Sequence, residues 1–330
     1  MYLEVLCVSD DYRTILRLID SRLPLPLVYA GCNRVLASRM PAANMYISIL
    51  EADGLRFPYY IDDVQQENTL EVYPKEGWTG YVIDTRRRYW LAKDPPPPSE
   101  SSPIGPMPED WLGVPVLGRD GEPLGVLAVQ TYIPGSRYKE SDLEFVEFTA
   151  DALSLALQLA YQDREIAIRR IAALVDETVD IDDLYPRIHE IMKNVIPAAR
   201  KNIIIARVDE LAGVFRPVYW QDDQDDYDAM HWPLNVGFSG YIYKVTGTSY
   251  IYEDGKTSIP PEVIPIGFPP RYWLGVPLYS RDRIIGVVVI QSYDSSEVIT
   301  KEDEYALKGI CPHIATAISQ TEVFSKLRQS

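Results

Sequence analysis

The sequence predicts an α+β chain in which one domain is used twice, and three observations carry that expectation. First, residues 111–116 read Trp-Leu-Gly-Val-Pro-Val and residues 273–278 read Trp-Leu-Gly-Val-Pro-Leu. The echo extends from 125–132 (Gly-Val-Leu-Ala-Val-Gln-Thr-Tyr) to 286–293 (Gly-Val-Val-Val-Ile-Gln-Ser-Tyr), and from 77–82 (Gly-Trp-Thr-Gly-Tyr-Val) to 237–242 (Gly-Phe-Ser-Gly-Tyr-Ile). The offsets of 162, 161 and 160 residues share one register with small insertions, and the period is far longer than that of a solenoid. Second, each copy carries strand signals in hairpin arrangement and ends in a closing helix. Third, 330 residues with 46% apolar content suit two globular cores.

Residues 1–24 have helical spacing (Ile15, Leu16, Leu18, Ile19) and no later counterpart, so they form a leading helix ahead of the first domain, 25–160. Residues 25–40 align with 181–196, and both runs end in Pro-Ala-Ala. In the second run Leu184, Ile188, Ile191, Met192 and Val195 fall on one helical face, with Asp183 as N-cap and Pro186 in the first turn. Paired strands follow: 45–50 with 56–61, and 203–208 with 215–220, each joined by a glycine turn. The Gly-aromatic-x-Gly segments open short helices (78–85 and 238–245), and 89–91 and 250–252 read as further strands.

A proline-rich loop comes next in both copies, through Pro95–Pro98 to Pro108 and through Pro260 to Pro270. Long loops of this kind act as lids or binding loops. Residues 114–116 and 125–132 form a hairpin about Arg119-Asp120-Gly121, and the lack of alternation in 125–129 predicts a central strand buried on both faces. Each copy closes with a helix, capped at Ser141-Asp142-Leu143-Glu144 and at Thr300-Lys301-Glu302-Asp303. Apolar positions from Leu143 to Leu174 continue the first closing helix through a charged connector, 161–175, into the second domain, 176–330. A helix over 141–175 spans roughly 50 Å, and its apolar seam suits a partner helix from a second protomer.

The net charge of −16 argues against nucleic acid and anionic membrane as partners. No apolar run reaches the length of a membrane span, and residues 1–8 lack the basic start and cleavage site of a signal peptide. Three distant cysteines form neither a disulfide framework nor a metal spacing, which points to a reducing cytoplasm. Cys32 and Cys311 lie on apolar helix faces and read as core. His189 reads as a solvated residue on a polar face, and His231 and His313 are isolated. The acidic run 222–228 lacks the glycine and terminal glutamate of a calcium loop and reads as a solvated connector.

The two-fold order of helix, hairpin, Gly-aromatic-x-Gly helix, Trp-Leu-Gly-Val-Pro, Gly-(apolar)-Gln-x-Tyr and closing helix resembles the GAF domain, over nearly the whole chain. The Trp-Leu-Gly-Val-Pro and Gln-Ser-Tyr pairing is similar to GAF domains that precede bacterial histidine kinases and diguanylate cyclases. The resemblance implies, for each domain, a six-stranded antiparallel sheet flanked by helices, the two joined by the long connecting helix. It implies a small-molecule pocket between sheet and short helices, homodimerisation through the flanking helices, and a C-terminal or separate effector such as a histidine kinase or diguanylate cyclase. The Asn-Lys-x-Phe-Asp signature of cyclic-nucleotide binders and the bilin-attachment motif are absent, and the cysteines do not suit a sulfoxide reductase. The chain is therefore not expected to be an enzyme. The cofactor stays open, with no metal, haem or bilin signature.

Aromatic residues at the expected pocket make the candidate ligand site: Tyr60, Trp78, Tyr81 and Trp111 in the first copy, and Trp220, Phe238, Tyr241 and Trp273 in the second. The first reading is a cytosolic sensor that binds a small molecule there and relays it through dimeric helices to an effector. The alternative is a ligand-free dimerisation or interaction module with degenerate domains, its rings serving only to fill the core.

Overall fold

The computed structural model describes residues 10–21, 23–64, 72–98, 104–177, 181–224 and 231–329. Cys7 and the acidic residues 225–228 lie outside them. The chain divides into two compact units, 1–160 and 161–330.

In the first unit α1 (Asp10–Asp20) and α2 (Leu25–Arg39) precede a sheet of β1 (Asn44–Glu51), β2 (Gly54–Ile61), β3 (Tyr89–Trp90), β4 (Asp110–Leu117) and β5 (Pro123–Thr131). Between β2 and β3 lies α3 (Gly77–Thr85). The strand order is β2-β1-β5-β4-β3, antiparallel throughout, so β5 is the middle strand and is buried on both faces as its apolar run predicts. Helix α4 (Glu140–Glu177) starts in this unit and ends in the next, as one uninterrupted helix through the charged connector.

The second unit repeats the plan. Helix α5 (Ile181–Met192) precedes β6 (Ile203–Asp209), β7 (Val214–Gln221), β8 (Trp232–Pro233), α6 (Gly237–Tyr241), β9 (Tyr250–Glu253), β10 (Tyr272–Ser280), β11 (Arg283–Ser292) and α7 (Lys301–Gln329). A π-helical turn, Ile242–Thr246, extends α6. The six strands run β8-β7-β6-β11-β10-β9. Alternation along the strands sorts the two faces. Ile203, Ile205, Leu274, Val276, Val288 and Ile290 pack with residues of α4, α5 and α7, whereas Ile204, Ala206, Trp273, Val287 and Val289 face α6.

The expected sixth strand of the first sheet shrinks to one antiparallel bridge, Leu55 to Tyr73. Tyr73 uses both its N–H and its C=O there, and Pro74 after it has no N–H to continue a ladder. Helix α5 also differs from expectation. It begins at Ile181, so Asp183 lies inside the first turn, beside Asp182 and next to the positive end of the dipole, and is not the cap. Pro186 is then the sixth residue, past the first turn. The closing helices are capped in one register. Asp303 accepts from the Thr300 N–H and hydroxyl while its own N–H donates to Thr300 Oγ1, a complete capping box. In the first unit the matching residues are Lys139 and Asp142, two positions ahead of Ser141-Glu144, and only the carboxylate half survives: the Lys139 N–H donates to Asp142 at 2.9 Å.

His189 is buried, with 1% of its surface exposed, and is not the solvated residue expected. Nε2 lies 2.7 Å from the Ala199 carbonyl and Nδ1 lies 2.7 Å from the Tyr219 hydroxyl. A carbonyl only accepts, so Nε2 carries the proton and Nδ1 takes a hydrogen bond from the tyrosine. Asn33, the aligned residue of the first copy, does the same work by donating to the Ala42 carbonyl at 3.1 Å. Each thus satisfies a backbone acceptor of the Pro-Ala-Ala turn. Burial holds the His189 pKa below its ordinary value, opposed by the bond to Ala199. The unfolded chain, with its higher histidine pKa, binds more protons than the native one, so native stability is lost as pH falls through about 6.5, by up to ~1.4 kcal/mol per pH unit. Chemical denaturation of the second unit at pH 7.5 and 5.5 should show that loss, and His189→Asn should flatten it.

Candidate functional site

The repeated Trp-Leu-Gly-Val-Pro has a steric origin. Residues i and i+2 of a strand share a face, so the indole of Trp111 lies across Gly113 and that of Trp273 across Gly275. A Cβ on Gly113 would stand 2.0 Å from the Trp111 ring, and one on Gly275 2.2 Å from the Trp273 ring. Glycine at i+2 lets each indole lie flat on the sheet, facing the short helix. In the first unit Trp78 of α3 packs on Trp111 at 5.4 Å between centroids, and in the second Phe238 of α6 packs on Trp273 at 5.1 Å.

Between sheet and short helix each unit has a cavity, and the two differ in size. The first measures about 120 Å³ and is lined by Tyr46, Phe57, Tyr60, Trp78, Trp111 and their neighbours. The second measures about 660 Å³ and is lined by Ile204, Trp220, Trp232, Phe238, Trp273 and residues of the proline-rich loop. Strand register explains the contrast. Tyr46 of β1 faces Tyr60, while its counterpart Ile204 faces Trp220, and Pro217 stands where Phe57 would. Tyr46 also crosses to α3, its hydroxyl 2.7 Å from Thr79 Oγ1, and stacks on Tyr60 at 6.0 Å. Its pKa is pushed up to about 12, burial outweighing the hydrogen bond to Thr79. In the second unit Ser239 replaces Thr79 on the cavity wall, and its hydroxyl meets no hydrogen-bond partner among the described residues.

Six of the eight residues marked from the sequence line these cavities: Tyr60, Trp78 and Trp111 in the first unit, and Trp220, Phe238 and Trp273 in the second. Tyr81 and Tyr241 do not. One helical turn along from Trp78 and Phe238, they pack edge-on against Tyr89 of β3 and Tyr250 of β9, at 5.9 and 5.3 Å. The proline-rich loops do reach the cavities. Ile104 and Pro106 border the first, Ile266 and Phe268 the second, where the Gly237 N–H is held by the Ile264 carbonyl. Phe268 is half exposed and packs against Tyr293 at 5.5 Å.

A repeated polar triad at each cavity was not anticipated. Gln130 Nε2 donates to Asp62, and the Tyr132 hydroxyl donates to the same carboxylate at 3.0 Å. Gln291 Nε2 donates to Asp222 at 2.5 Å, and Tyr293 donates to it at 3.0 Å. Asp222 is therefore no solvated connector, although it begins the acidic run. Burial, and then Asp62, raise the pKa of Tyr60 and Tyr132. The sequence signal is the spacing: 68 residues from Asp62 to Gln130, and 69 from Asp222 to Gln291.

Elsewhere, burial pushes the Cys32 thiol up to about 12 and the Cys311 thiol higher still. Among the described residues no group of three histidine, cysteine or carboxylate side chains is placed to hold a metal ion, and no helix is long and apolar enough to cross a membrane.

Each unit is thus an antiparallel sheet with a cavity between one of its faces and a short helix. Residues 30–158 and residues 202–318 each match a family model described as GAF domain. The chain belongs to the GAF domain family, with two copies in tandem, and GAF domains are sensory and regulatory signalling modules. No curated protein matches it. Among solved structures it is similar to a free methionine-R-sulfoxide reductase from Neisseria meningitidis (18% identity, 51% of this chain and 93% of that one, TM-score 0.40). It is also similar to the GAF domain of a phosphoenolpyruvate-protein phosphotransferase from Coxiella burnetii (15%, 49% and 96%, TM-score 0.41). A third is a phycoerythrobilin-bound GAF domain from a cyanobacterial phytochrome (13%, 48% and 96%, TM-score 0.38). At that level of similarity none of them lends its ligand or activity to this chain.

The Trp-over-glycine packing makes a sharp demand on position 275. Gly275→Ala must lift the Trp273 ring off the sheet, also colliding with Ile242, at a cost of about 1–3 kcal/mol. Urea denaturation should register that loss, and a changed tryptophan emission before the transition should report the displaced indole.

Proposed function

We propose that this chain is a cytoplasmic signal-transduction module of the bacterial kind whose second GAF domain binds a small molecule, while the first is a filled, structural copy. The contrast between about 660 Å³ and about 120 Å³ at equivalent places in one fold carries this reading. A volume of that size, walled by aromatic rings and served by few polar groups, has the character of a small-molecule site. The first cavity has the same walls with Tyr46 and Phe57 added, which leaves little room for a ligand.

The module acts as a homodimer through its helices. Binding favours one arrangement of α4 and α7 and so biases an effector such as a histidine kinase or diguanylate cyclase. Regulation without catalysis suits Cys32 and Cys311, since a thiol that burial pushes far above its ordinary pKa is neutral near pH 7 and a poor nucleophile. The second reading, a ligand-free dimerisation module, draws its support from the filled first domain.

Native mass spectrometry of freshly purified protein, followed by a thermal-shift screen of nucleotides and common metabolites, tests the proposal. A ligand at 100 times its dissociation constant stabilises the folded state by about 2.7 kcal/mol. A co-purified mass or a clear shift that vanishes in Ile204→Tyr, which restores the first copy's filler in the second, is the expected result. A clean dimer with no shift from any compound moves the reading to a structural relay.

A further inference from the structure

The polar triad of the second unit constrains what the larger cavity can hold, and the inference rests on reading that cavity as a ligand site. An amide side chain has one donating and one accepting branch, and they look alike in electron density, so the network must assign them. Here the assignment is forced. One branch of Gln291 lies 2.5 Å from a carboxylate oxygen of Asp222, and a carboxylate accepts. That branch is the NH2, which also reaches the Tyr293 hydroxyl at 2.7 Å. Tyr293 donates to Asp222 in turn and closes the ring of three. Oε1 is left as the outstanding branch of a side chain that lines the cavity, and no donor among the described residues meets it. The first unit locks Gln130 the same way with Asp62 and Tyr132, so the device belongs to the fold and not to one loop.

Charge adds the second constraint. Among the described residues no lysine or arginine lines the second cavity, whose titratable side chains are His231 and Tyr252. A buried anion needs a paired cation or several donors; the described walls offer two side-chain donors, the Ser239 hydroxyl and the buried Trp232 indole N–H, beside aromatic faces, an acceptor and a nearby carboxylate, and no cation. Ring faces are the negative side of an aromatic quadrupole and attract cations.

We infer that the second cavity selects a flat, uncharged or cationic ligand that donates an N–H or O–H to Gln291 Oε1, and that it rejects anions. Asp222 and Tyr293 are positioning residues, holding the amide with its acceptor turned to the ligand.

Matched ring series test this on the full chain: tryptamine, indole-3-acetamide and indole-3-acetate, with the corresponding naphthalene amine, acetamide and acetate. Binding is read by ligand-observed NMR and calorimetry on the wild-type chain and on Gln291→Leu, Asp222→Asn and Ile204→Tyr. Gln291→Met, closer in length, stands in where Leu upsets the packing. The expected result is that the amine and amide members bind at least about 10-fold tighter than the carboxylate on the same ring, and that amine and amide binding weakens about 10-fold in Gln291→Leu while the ring still binds. Carboxylates that bind as well as the amides, with all binding lost in Ile204→Tyr, overturn the inference and leave the ligand site standing. No saturation transfer from any member at millimolar concentration, in wild type and Ile204→Tyr alike, overturns the ligand site and the inference with it.

Discussion

The contact on which both units depend is an indole lying flat across a glycine two residues further along its strand. Trp111 over Gly113 and Trp273 over Gly275 put a large rigid surface on the cavity face of the sheet. The strand itself remains hydrogen-bonded on both sides, Trp111 opposite Gln130 and Trp273 opposite Gln291. That pairing sets the indole and the amide side by side, one supplying an apolar floor and the other a polar group. It explains why Trp-x-Gly and Gly…Gln-x-Tyr recur together, although more than ten residues separate them in the chain.

On that shared floor the two copies diverge through a few side chains. A tyrosine at 46 spans from sheet to helix and engages Thr79, where isoleucine at 204 has no hydroxyl to offer Ser239. Phenylalanine at 57 adds bulk, where proline at 217 adds none. Rings packed edge to face with Tyr46, Phe57 and Tyr73 make the first cavity close to a finished core. The second keeps the walls and omits the filling. The same fold thus carries a nearly filled interior in one copy and an open one in the other.

The fold was legible because its signals are local or repeated. Glycine turns, the apolar run at 125–129 and the unbroken helical pattern through 161–175 each depend on neighbours in sequence, and the structure has the hairpins, the central strand and the continuous helix. The short sixth strand was harder to read, since a two-residue strand ending at a proline leaves no periodicity. His189 misled because a histidine flanked by Tyr185 and Lys193 resembles a polar face, while its partners, the Ala199 carbonyl and Tyr219, lie on other elements. The alignment held the clue: asparagine in one copy and histidine in the other mark a position that must donate.

The cavity walls were legible in their rings and not in their hydrogen bonds, for the same physical reason. An aromatic residue opening a short helix can be placed from local pattern alone, which located Trp78 and Phe238. Tyr81 and Tyr241 sit one turn further on, carried about 4.5 Å along the helix axis, and pack against Tyr89 and Tyr250, which do not line the cavities. The Asp62 and Asp222 contacts close over nearly seventy residues, a distance at which no pattern in a single copy indicates pairing. Only the doubled spacing could reveal them, and the acidic run beginning at Asp222 drew that residue into a solvated segment. A duplicated chain is therefore best read as two observations of one fold. Polar residues that keep their distance in both copies are candidates for contact, and large residues that change between copies mark where the copies have parted in purpose.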